Sequence, residues 1–538
     1  MTVCFGVLFG FLNALMSHLF AYDQWDALLS PLPAMIMTAR ALCQALPMIA
    51  FLSYIDNVLK SGSLSGVNKF PAWVEKRSFS LIFSLLIICW LPYVIIFYPG
   101  TVNWDLGEMA AQFFGQRSMD TWHPVFTTWI FGSCIWIGRL VGSDNIGALL
   151  FTLLQLFALA FACTKTLQYL KEKKAHPMFF YGTLAFYALC PLFGGYVQFI
   201  SKDTLYTAFM LLFGLECVEL LQAKELNKKE IIVSSIKLFI YATLTCLLRS
   251  NGLYVILPTA IVLCIFGLRH KLRIACSLSL ALALSVVMLF NNVLIPSLGI
   301  VDATTSGIYS ACFQQSARVL RDHVDEVSET QFEEIDRVLD AEKLGELYEP
   351  WISDPVKFTF RYFGKGAEIE KEVLTRYRST WLEMMKQFPL DYAESFFAGN
   401  MSYYTFQPKI NEERTYNYQA GNRLVFETYS LGDDPRLVHT KQPQALETPR
   451  ILTAMYARGW RHLPILSLLY TCAMYTWLLV GCAISLCHQR RFKLLIAFMP
   501  ALFTLAVCML SPVNDYFRYF LPITALTPLL LGLSNARK

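Results

Sequence analysis

Residues 98–124 read YPGTVNWDLGEMAAQFFGQRSMDTWHP and set two carboxylates, Asp105 and Glu108, three residues apart. If the chain is helical from Leu106 onward, both lie on the first turn, where a carboxylate could take the proton of a hydroxyl as general base. The spacing also has a purely structural reading, a capping box with Asp105 as N-cap and Glu108 at N3. His123-Pro124 either brings an imidazole to this loop or simply opens the next helix with its proline. Ser201-Lys202-Asp203 begins one apolar run, and Arg249-Ser250-Asn251-Gly252 separates two others. A cation in a tight turn between long apolar helices sits at the bilayer boundary, where an unpaired charge is costly and a bound anion would satisfy it. In SPVNDYFRYFLP (511–522), Arg518 lies just inside the last apolar run, with Asp515 three residues earlier as an alternative partner. Three cations from three separate run ends, beside a carboxylate loop, suit a phosphate oxyanion next to a base. Asp203 and Asn251 would support them.

Those residues need a scaffold, and the composition says which. The 538 residues are 55% hydrophobic and 16% charged, with a mean hydropathy of +0.44. Apolar runs of ~20 residues, the length that crosses ~30 Å of hydrocarbon, recur along most of the chain. This excludes secreted, disordered and nucleic-acid-binding classes and points to an all-α integral membrane protein. Candidate spans are 2–20, 33–54, 79–98, 144–164, 178–196, 202–222, 232–248, 251–268, 273–295, 463–487, 491–510 and 516–534, twelve in all. The net charge of +5 is segregated, so it implies no polyanion partner. Residues 296–462 carry 19 Lys+Arg against 25 Asp+Glu, and the rest carries 26 against 15. The expected organisation is therefore a membrane module 1–295 with an outer loop 99–143, an acidic extracytoplasmic domain 296–462, and closing helices 463–538.

Orientation follows from loop cations. Lys60, Lys69, Lys76 and Arg77, then Lys165, Lys171, Lys173 and Lys174, then Lys224, Lys228 and Lys229 form the first three basic clusters. Arg269, Lys271 and Arg273, then Arg490, Arg491 and Lys493, then Arg537 and Lys538 complete the series. All share one side if twelve spans leave both termini cytoplasmic. Residues 124–142 are apolar enough to cross, but crossing would put the 165–178 cluster outside. They are expected along the outer interface, where Trp122, Trp129 and Trp136 suit the headgroup level. Arg40, Arg139 and Lys237 fall near span ends, where snorkelling accounts for them. The first run has neither a basic n-region nor a cleavage site and reads as a retained helix rather than a signal peptide.

The inserted domain holds 11 of the 26 tyrosines, among them Tyr403, Tyr404, Tyr416 and Tyr418, together with Trp351 and Trp381. Aromatic faces suit sugar rings; tyrosine is equally ordinary filling for a small helical domain. The stretch Asp322–Glu349 reads as an amphipathic helix pair, with Phe332, Ile335 and Leu339 on one face. Asn400-Met401-Ser402 is a formal glycosylation sequon without meaning in a bacterial host. Cysteines are scattered singly through apolar runs and Cys312 is alone in the insert, so no disulfide framework is expected. The sequence contains no phosphate-binding glycine loop, no HExxH and no CxxC, and its eight histidines are dispersed. No cytoplasmic segment is large enough to bind a nucleotide. An enzyme working outside without nucleotides must use a donor already activated in the membrane, such as a lipid-linked phosphosugar.

This pattern resembles the GT-C superfamily of polytopic glycosyltransferases, which use polyprenyl-phosphate sugars. In that superfamily the first large outer loop carries a catalytic Asp, followed by interfacial helices often opened by His-Pro, which corresponds here to Asp105, His123-Pro124 and 124–142. More closely, YPGTVNWD…HP, SKDTLY, RSNG, RYFLP, YEPWISDPVK (348–357) and WLEMMKQFPLDYAESFF (381–397) resemble an uncharacterised family of bacterial multi-pass membrane proteins placed in it. The likeness spans about residues 79–530. The first loop lacks the neighbouring Asp-Glu pair of many such enzymes, and the large domain lies between spans nine and ten rather than after the last. Both departures leave the acceptor, and any use of a divalent cation, open. The resemblance implies Asp105 as base, with Glu108 and His123 orienting the acceptor or supporting it. Lys202, Arg249 and Arg518 would hold the leaving phosphate. The partners implied are a polyprenyl-phosphate lipid and a glycan, lipid or protein acceptor at a bacterial plasma membrane. Two rivals are a transporter or flippase of a lipid-linked anion and a non-catalytic scaffold binding a wall polymer. A transporter should show paired repeats and broken helices in both halves, and no such symmetry is visible.

Overall fold

A computed structural model describes residues 1–61, 78–102, 104–223, 225–268, 270–362, 371–406, 438–511, 513–514 and 516–535. It is all-helical; among the described residues the only β contacts are isolated bridges. Ten described helices are long and apolar enough to cross a membrane: Thr2–Tyr22, Pro31–Ser61, Ser78–Ile96, Asp144–Glu172, Pro177–Gln198, Lys202–Gln222, Lys228–Leu248, Lys271–Ser297, Phe492–Leu510 and Phe517–Asn535. The chain is a multi-pass membrane protein. The other two expected spans, 251–268 and 463–487, correspond to shorter apolar helices, Asn251–Gly267 and Cys472–His488. The second begins nine residues later than expected because residues 463–465, with Pro464 among them, form a turn and Leu466–Tyr470 a short 3-10 helix instead.

The helices used below are α1 (Thr2–Tyr22), α2 (Pro31–Ser61), α3 (Ser78–Ile96), α4 (Trp104–Phe113), α5 (Val125–Leu140) and α6 (Asp144–Glu172). They continue with α7 (Pro177–Leu189), α8 (Pro191–Gln198), α9 (Lys202–Gln222), α10 (Lys228–Leu248), α11 (Asn251–Val262) and α12 (His270–Leu289). The expected span 178–196 breaks between α7 and α8, where Pro191 cannot donate to the ladder and Cys190 is extended. Helix α9 is apolar nearly all round and is buried among its neighbours, as such a helix must be. One of those neighbours is the last helix, Phe517–Asn535, which approaches so closely that a Cβ on Gly214 would meet Leu526 Cδ2 at 2.5 Å.

Helix α5 folds back along the first turns of α6: the Phe131 and Phe151 ring centres lie 5.4 Å apart, and a Cβ on Gly138 would clash with Gly147 N. His123, just before α5, reaches Lys202 at the start of α9, while Arg139 in its last turn pairs with Asp144 at the start of α6 (2.7 Å). Asp144 Oδ2 in turn accepts from His439 N of the inserted domain (2.9 Å). Arg139 is paired rather than snorkelling. Lys237 also departs from that expectation: it lies mid-helix in α10, 3.2 Å from the buried Glu216 of α9 and 3.8 Å from Glu219. A lysine at that depth needs a counter-charge, and a neighbouring helix supplies it.

The inserted segment contributes α13 (Ser310–Asp322), α14 (Glu329–Asp336), α15 (Ala341–Leu347), α16 (Lys371–Gln387), α17 (Pro389–Ala398) and α18 (Glu447–Gly459). Residues from Phe313 to Tyr392 form a core of their own, in which Ile335 and Leu339 are fully buried and Phe332 packs at the edge. The amphipathic pair is thus α14 and α15, with Leu339 in the turn between them and not on a helical face. Arg318, 1% exposed, ties this core to the end of α1 by pairing with Asp23 (3.1 Å) and with Glu394. Tyr403, Tyr404 and Trp351 are buried against the membrane helices, and Trp381 is half-buried at the domain core. These four are filling rather than an open carbohydrate face. Tyr416 and Tyr418 lie outside the described residues, as do Lys69, Lys76, Arg77, Lys224, Arg269, Asp515, Arg537 and Lys538. Asn400 of the sequon is fully buried. The chain closes with α19 (Cys472–His488), α20 (Met499–Leu510) and α21 (Phe517–Asn535).

Candidate functional site

Two non-helical segments must be held inside an apolar bundle before any charge is placed. After α3 the chain turns at Gly100, whose φ of 125° and tight surroundings (a Cβ would lie 2.5 Å from Thr152 Oγ1) admit little else. Thr101 then pairs with the stretch between α8 and α9: Thr101 N donates to Gln198 O (3.0 Å) and Ile200 N to Thr101 O (3.0 Å). Buried extended backbone requires partners, and two glutamines complete the set. Gln155 of α6 donates to Val197 O and Phe199 O (3.1 Å each) and accepts from Ser201 N (3.0 Å). Gln198 Oε1 accepts from Thr101 N (3.1 Å) and Thr101 Oγ1 (2.7 Å). This clamp leads directly into α4, which carries Asp105 and Glu108, and into α9, which begins at Lys202.

The structure brings all six principal candidates together. Asp105 Oδ2 accepts from Arg518 Nη1 of α21 at 3.1 Å and lies 3.4 Å from Lys202 Nζ of α9. Lys202 Nζ is 3.0 Å from His123 Nδ1, and His123 Nε2 is 3.3 Å from Glu108 Oε2. Arg117 Nη1 donates to Glu108 Oε1 at 2.8 Å. Arg249 pairs with Asp203, which is fully buried, and its guanidinium stacks 4.1 Å from the centre of the Tyr519 ring. Arg518 donates to the Tyr519 hydroxyl (3.2 Å). Asn251 lines a small cavity with Arg249, Tyr206, Tyr519 and Cys508.

Two expectations change. Helix α4 starts at Trp104, so Asp105 is inside its first turn and not at the N-cap that the expected capping box requires; its carboxylate pairs with Lys202 and Arg518. Pro124 precedes the first residue of α5 rather than occupying it. Arg249, moreover, is already neutralised by Asp203, whereas Lys202 and Arg518 share a single carboxylate. Arg518 Nε is buried without a hydrogen-bond partner among the described residues.

Burial opposes ionisation of Asp105, but Lys202 and Arg518 outweigh it and hold the carboxyl well below the usual range. Glu108 is lowered by its hydrogen bond from His123, against burial and with help from Arg117. His123 is pushed down by burial and then by Lys202, in spite of Glu108 and Asp105. A neutral imidazole here has one consistent tautomer: Nε2–H donates to Glu108 and Nδ1 accepts from Lys202. The chain Arg117–Glu108–His123 thereby aims the Lys202 ammonium at Asp105. Among the described residues, no three His, Cys, Asp or Glu side chains are gathered as a metal cage.

Sequence reasoning overlooked Tyr519 and Gln155 as contributors and gave Arg117 no role beyond that of an outer-loop cation. Arg117 was recognisable as an outer-loop cation, but its partner was not. Tyr519 in a terminal span reads as an interfacial belt aromatic, and Gln155 is an amide in the middle of the apolar run of α6.

A family model described as "Family of unknown function (DUF6020)" matches residues 116–537. His123, Lys202, Asp203, Arg249, Asn251 and Arg518 lie within that match, and Asp105 and Glu108 precede it. No curated protein and no solved structure matches the chain.

Proposed function

We propose that this chain, which belongs to the DUF6020 family of unknown function, is a twelve-span membrane glycosyltransferase of the GT-C kind. It transfers a sugar from a polyprenyl-phosphate donor to an extracytoplasmic acceptor, with both termini cytoplasmic in a bacterial plasma membrane. The acceptor oxygen attacks the anomeric carbon from the face opposite the phosphate, and the carbon–oxygen bond to phosphate breaks. Asp105 takes the acceptor's proton. The bonding pair leaves on the phosphate, whose growing charge Lys202 and Arg518 stabilise, with Arg249 behind them.

The observation that carries this reading is that Asp105 is shared between cations from two different helices, one of which keeps an unused buried N–H. A phosphate entering between Lys202 and Arg518 competes with Asp105 for them. Losing those contacts raises the basicity of the carboxylate, so the base strengthens once a donor is bound. The test is a thermal-shift titration of the full chain in nanodiscs with undecaprenyl phosphate, alongside sugar transfer and glycan mass spectrometry of a deletion strain. Wild type should be stabilised, and Arg518→Gln should lose most of that shift together with transfer. A lipid phosphate that stabilises both proteins equally overturns the reading.

One observation favours a transporter as the second reading: the Glu216–Lys237–Glu219 group lies within the helices, away from the Asp105 end. Under that reading Lys237→Gln abolishes lipid translocation in proteoliposomes, whereas for a transferase it leaves glycosyl transfer intact.

A further inference from the structure

The seam between the first loop and the inserted domain holds a second cluster that the reaction above does not use. Trp122, the residue before His123, is half-buried, and its ring centre lies 6.3 Å from that of Phe358 at an angle of 53°. Phe358 is 58% exposed. Lys357 Nζ lies 5.4 Å from the Trp122 ring centre and 5.3 Å from that of Phe358, and it is ion-paired with Asp354. Both sides of the seam are pinned. Thr121 N donates to Val301 O (2.9 Å) and Ala303 N to Thr121 Oγ1 (3.0 Å), which ties the loop to the start of the domain. Ile352 bridges Val513, and Asn514 N donates to Trp351 O (3.1 Å), which ties the Asp354–Phe358 segment to the turn before Arg518. Asp354 and Lys357 consequently lie within electrostatic reach of Tyr516 and Tyr519, the aromatic neighbours of Arg518.

We propose that Trp122, Phe358 and the Asp354–Lys357 pair form a saccharide subsite that seats the terminal pyranose of the acceptor. The assignment to the acceptor rests on the transferase reading; the subsite itself does not. The ring faces of Trp122 and Phe358 attract the polarised C–H groups of a pyranose as they attract the Lys357 cation. A carboxylate beside an ammonium offers one acceptor and one donor, the complement of two neighbouring hydroxyls. A cation–π contact that merely fastened the domain to the loop would bury both rings, and Phe358 is mostly open. Trp122 directly precedes His123, so the subsite and the Asp105 cluster are borne by one loop.

The test is saturation-transfer NMR on the full chain in nanodiscs, with methyl β-D-glucopyranoside and methyl β-D-mannopyranoside as probes at millimolar concentration. Wild type and Asp105→Asn should both saturate the ring protons of at least one probe. Phe358→Ala and Trp122→Ala should lower that signal at least fivefold, and Phe358→Tyr should restore it. Cooperative thermal unfolding of Phe358→Ala at close to the wild-type temperature shows that the variant is folded. Absence of saturation in wild type, or equal saturation in wild type and both alanine variants, overturns the subsite. So does quenching of Phe358→Trp fluorescence by spin-labelled lipid that saturating glycoside does not relieve, which would make the patch a headgroup contact. If the glycosides bind as described but undecaprenyl phosphate stabilises nothing, the donor reading fails and the subsite stands.

Discussion

Replacing Asp105 by Asn removes the single negative charge that Lys202 and Arg518 share, at 3.4 and 3.1 Å. Those two cations are 12% and 10% exposed and the carboxylate is 27% exposed, so the cluster stands between a surface pair and a buried one. Surface pairs contribute ~0–1 kcal/mol, and breaking a buried pair costs ~3–5 kcal/mol; for this cluster we expect a loss of about 2–4 kcal/mol. Asn is about as good as Asp at capping a helix, so a capping role would leave stability unchanged. A phosphate then meets two cations that no longer have a carboxylate between them. If it recovers even ~1.4–2.8 kcal/mol of the lost neutralisation, its affinity rises on the order of 10–10²-fold. Transfer should meanwhile fall by ~10²–10⁴-fold, the usual worth of a positioned general base. Thermal unfolding, undecaprenyl phosphate titration and transfer assays on the same nanodisc preparation check all three. The signs differ: stability down, phosphate affinity up, turnover down. Because the Asp105 carboxyl is held low in the folded chain, its stabilising contribution is complete above the ordinary carboxylate range and is lost only as pH falls through the folded value. Comparisons from pH 6 to 8 therefore read the charge and not its titration. Unchanged stability together with unchanged phosphate affinity in Asp105→Asn would refute the shared ion pair, whatever happened to turnover.

His123→Gln keeps a donor for Glu108 and an acceptor for Lys202 but cannot ionise. Because burial lowers the His123 pKa, wild type should lose stability relative to this variant as pH drops below ~6.5, where the unfolded histidine takes up its proton. Melting curves from pH 8 to 5 that stay parallel count against it. Gln155→Leu strips partners from Val197 O, Phe199 O and Ser201 N; at ~1 kcal/mol for each hydrogen bond, the loss should approach ~3 kcal/mol, with transfer weakened because Lys202 loses its footing. Unfolding measurements showing less than ~0.5 kcal/mol would mean that the clamp is replaced by water. With native cysteines removed, a cysteine at exposed Thr330 should label from outside, and cysteines at exposed Glu172 and Asn227 should not; outside labelling at 172 would invert the orientation.

The membrane architecture was legible in the sequence because hydrocarbon imposes a local rule. About 20 apolar residues must follow one another, and the ten helices long enough to cross coincide with ten of the runs marked by that rule. The candidate charges were legible for the same reason: in so apolar a body a charge is expensive, so Lys202, Arg249 and Arg518 stood out at the ends of runs and Asp105 in the loop after the third. Their expense said nothing of who neutralises whom. Asp203 takes Arg249 from another helix, and Asp105 takes Lys202 and Arg518, 97 and 413 positions away. Lys237 carried the same ambiguity: read singly it could snorkel, yet packing α9 against α10 gives it Glu216. Tyr403 and Tyr404 resembled a sugar-binding face by type and became core by position, since aromatic rings serve either purpose and only burial chooses. Hydropathy and helix ends are properties of neighbours along the chain, and the sequence determines them. Pairing between charges on different helices depends on how the helices pack, and only the tertiary structure decides it.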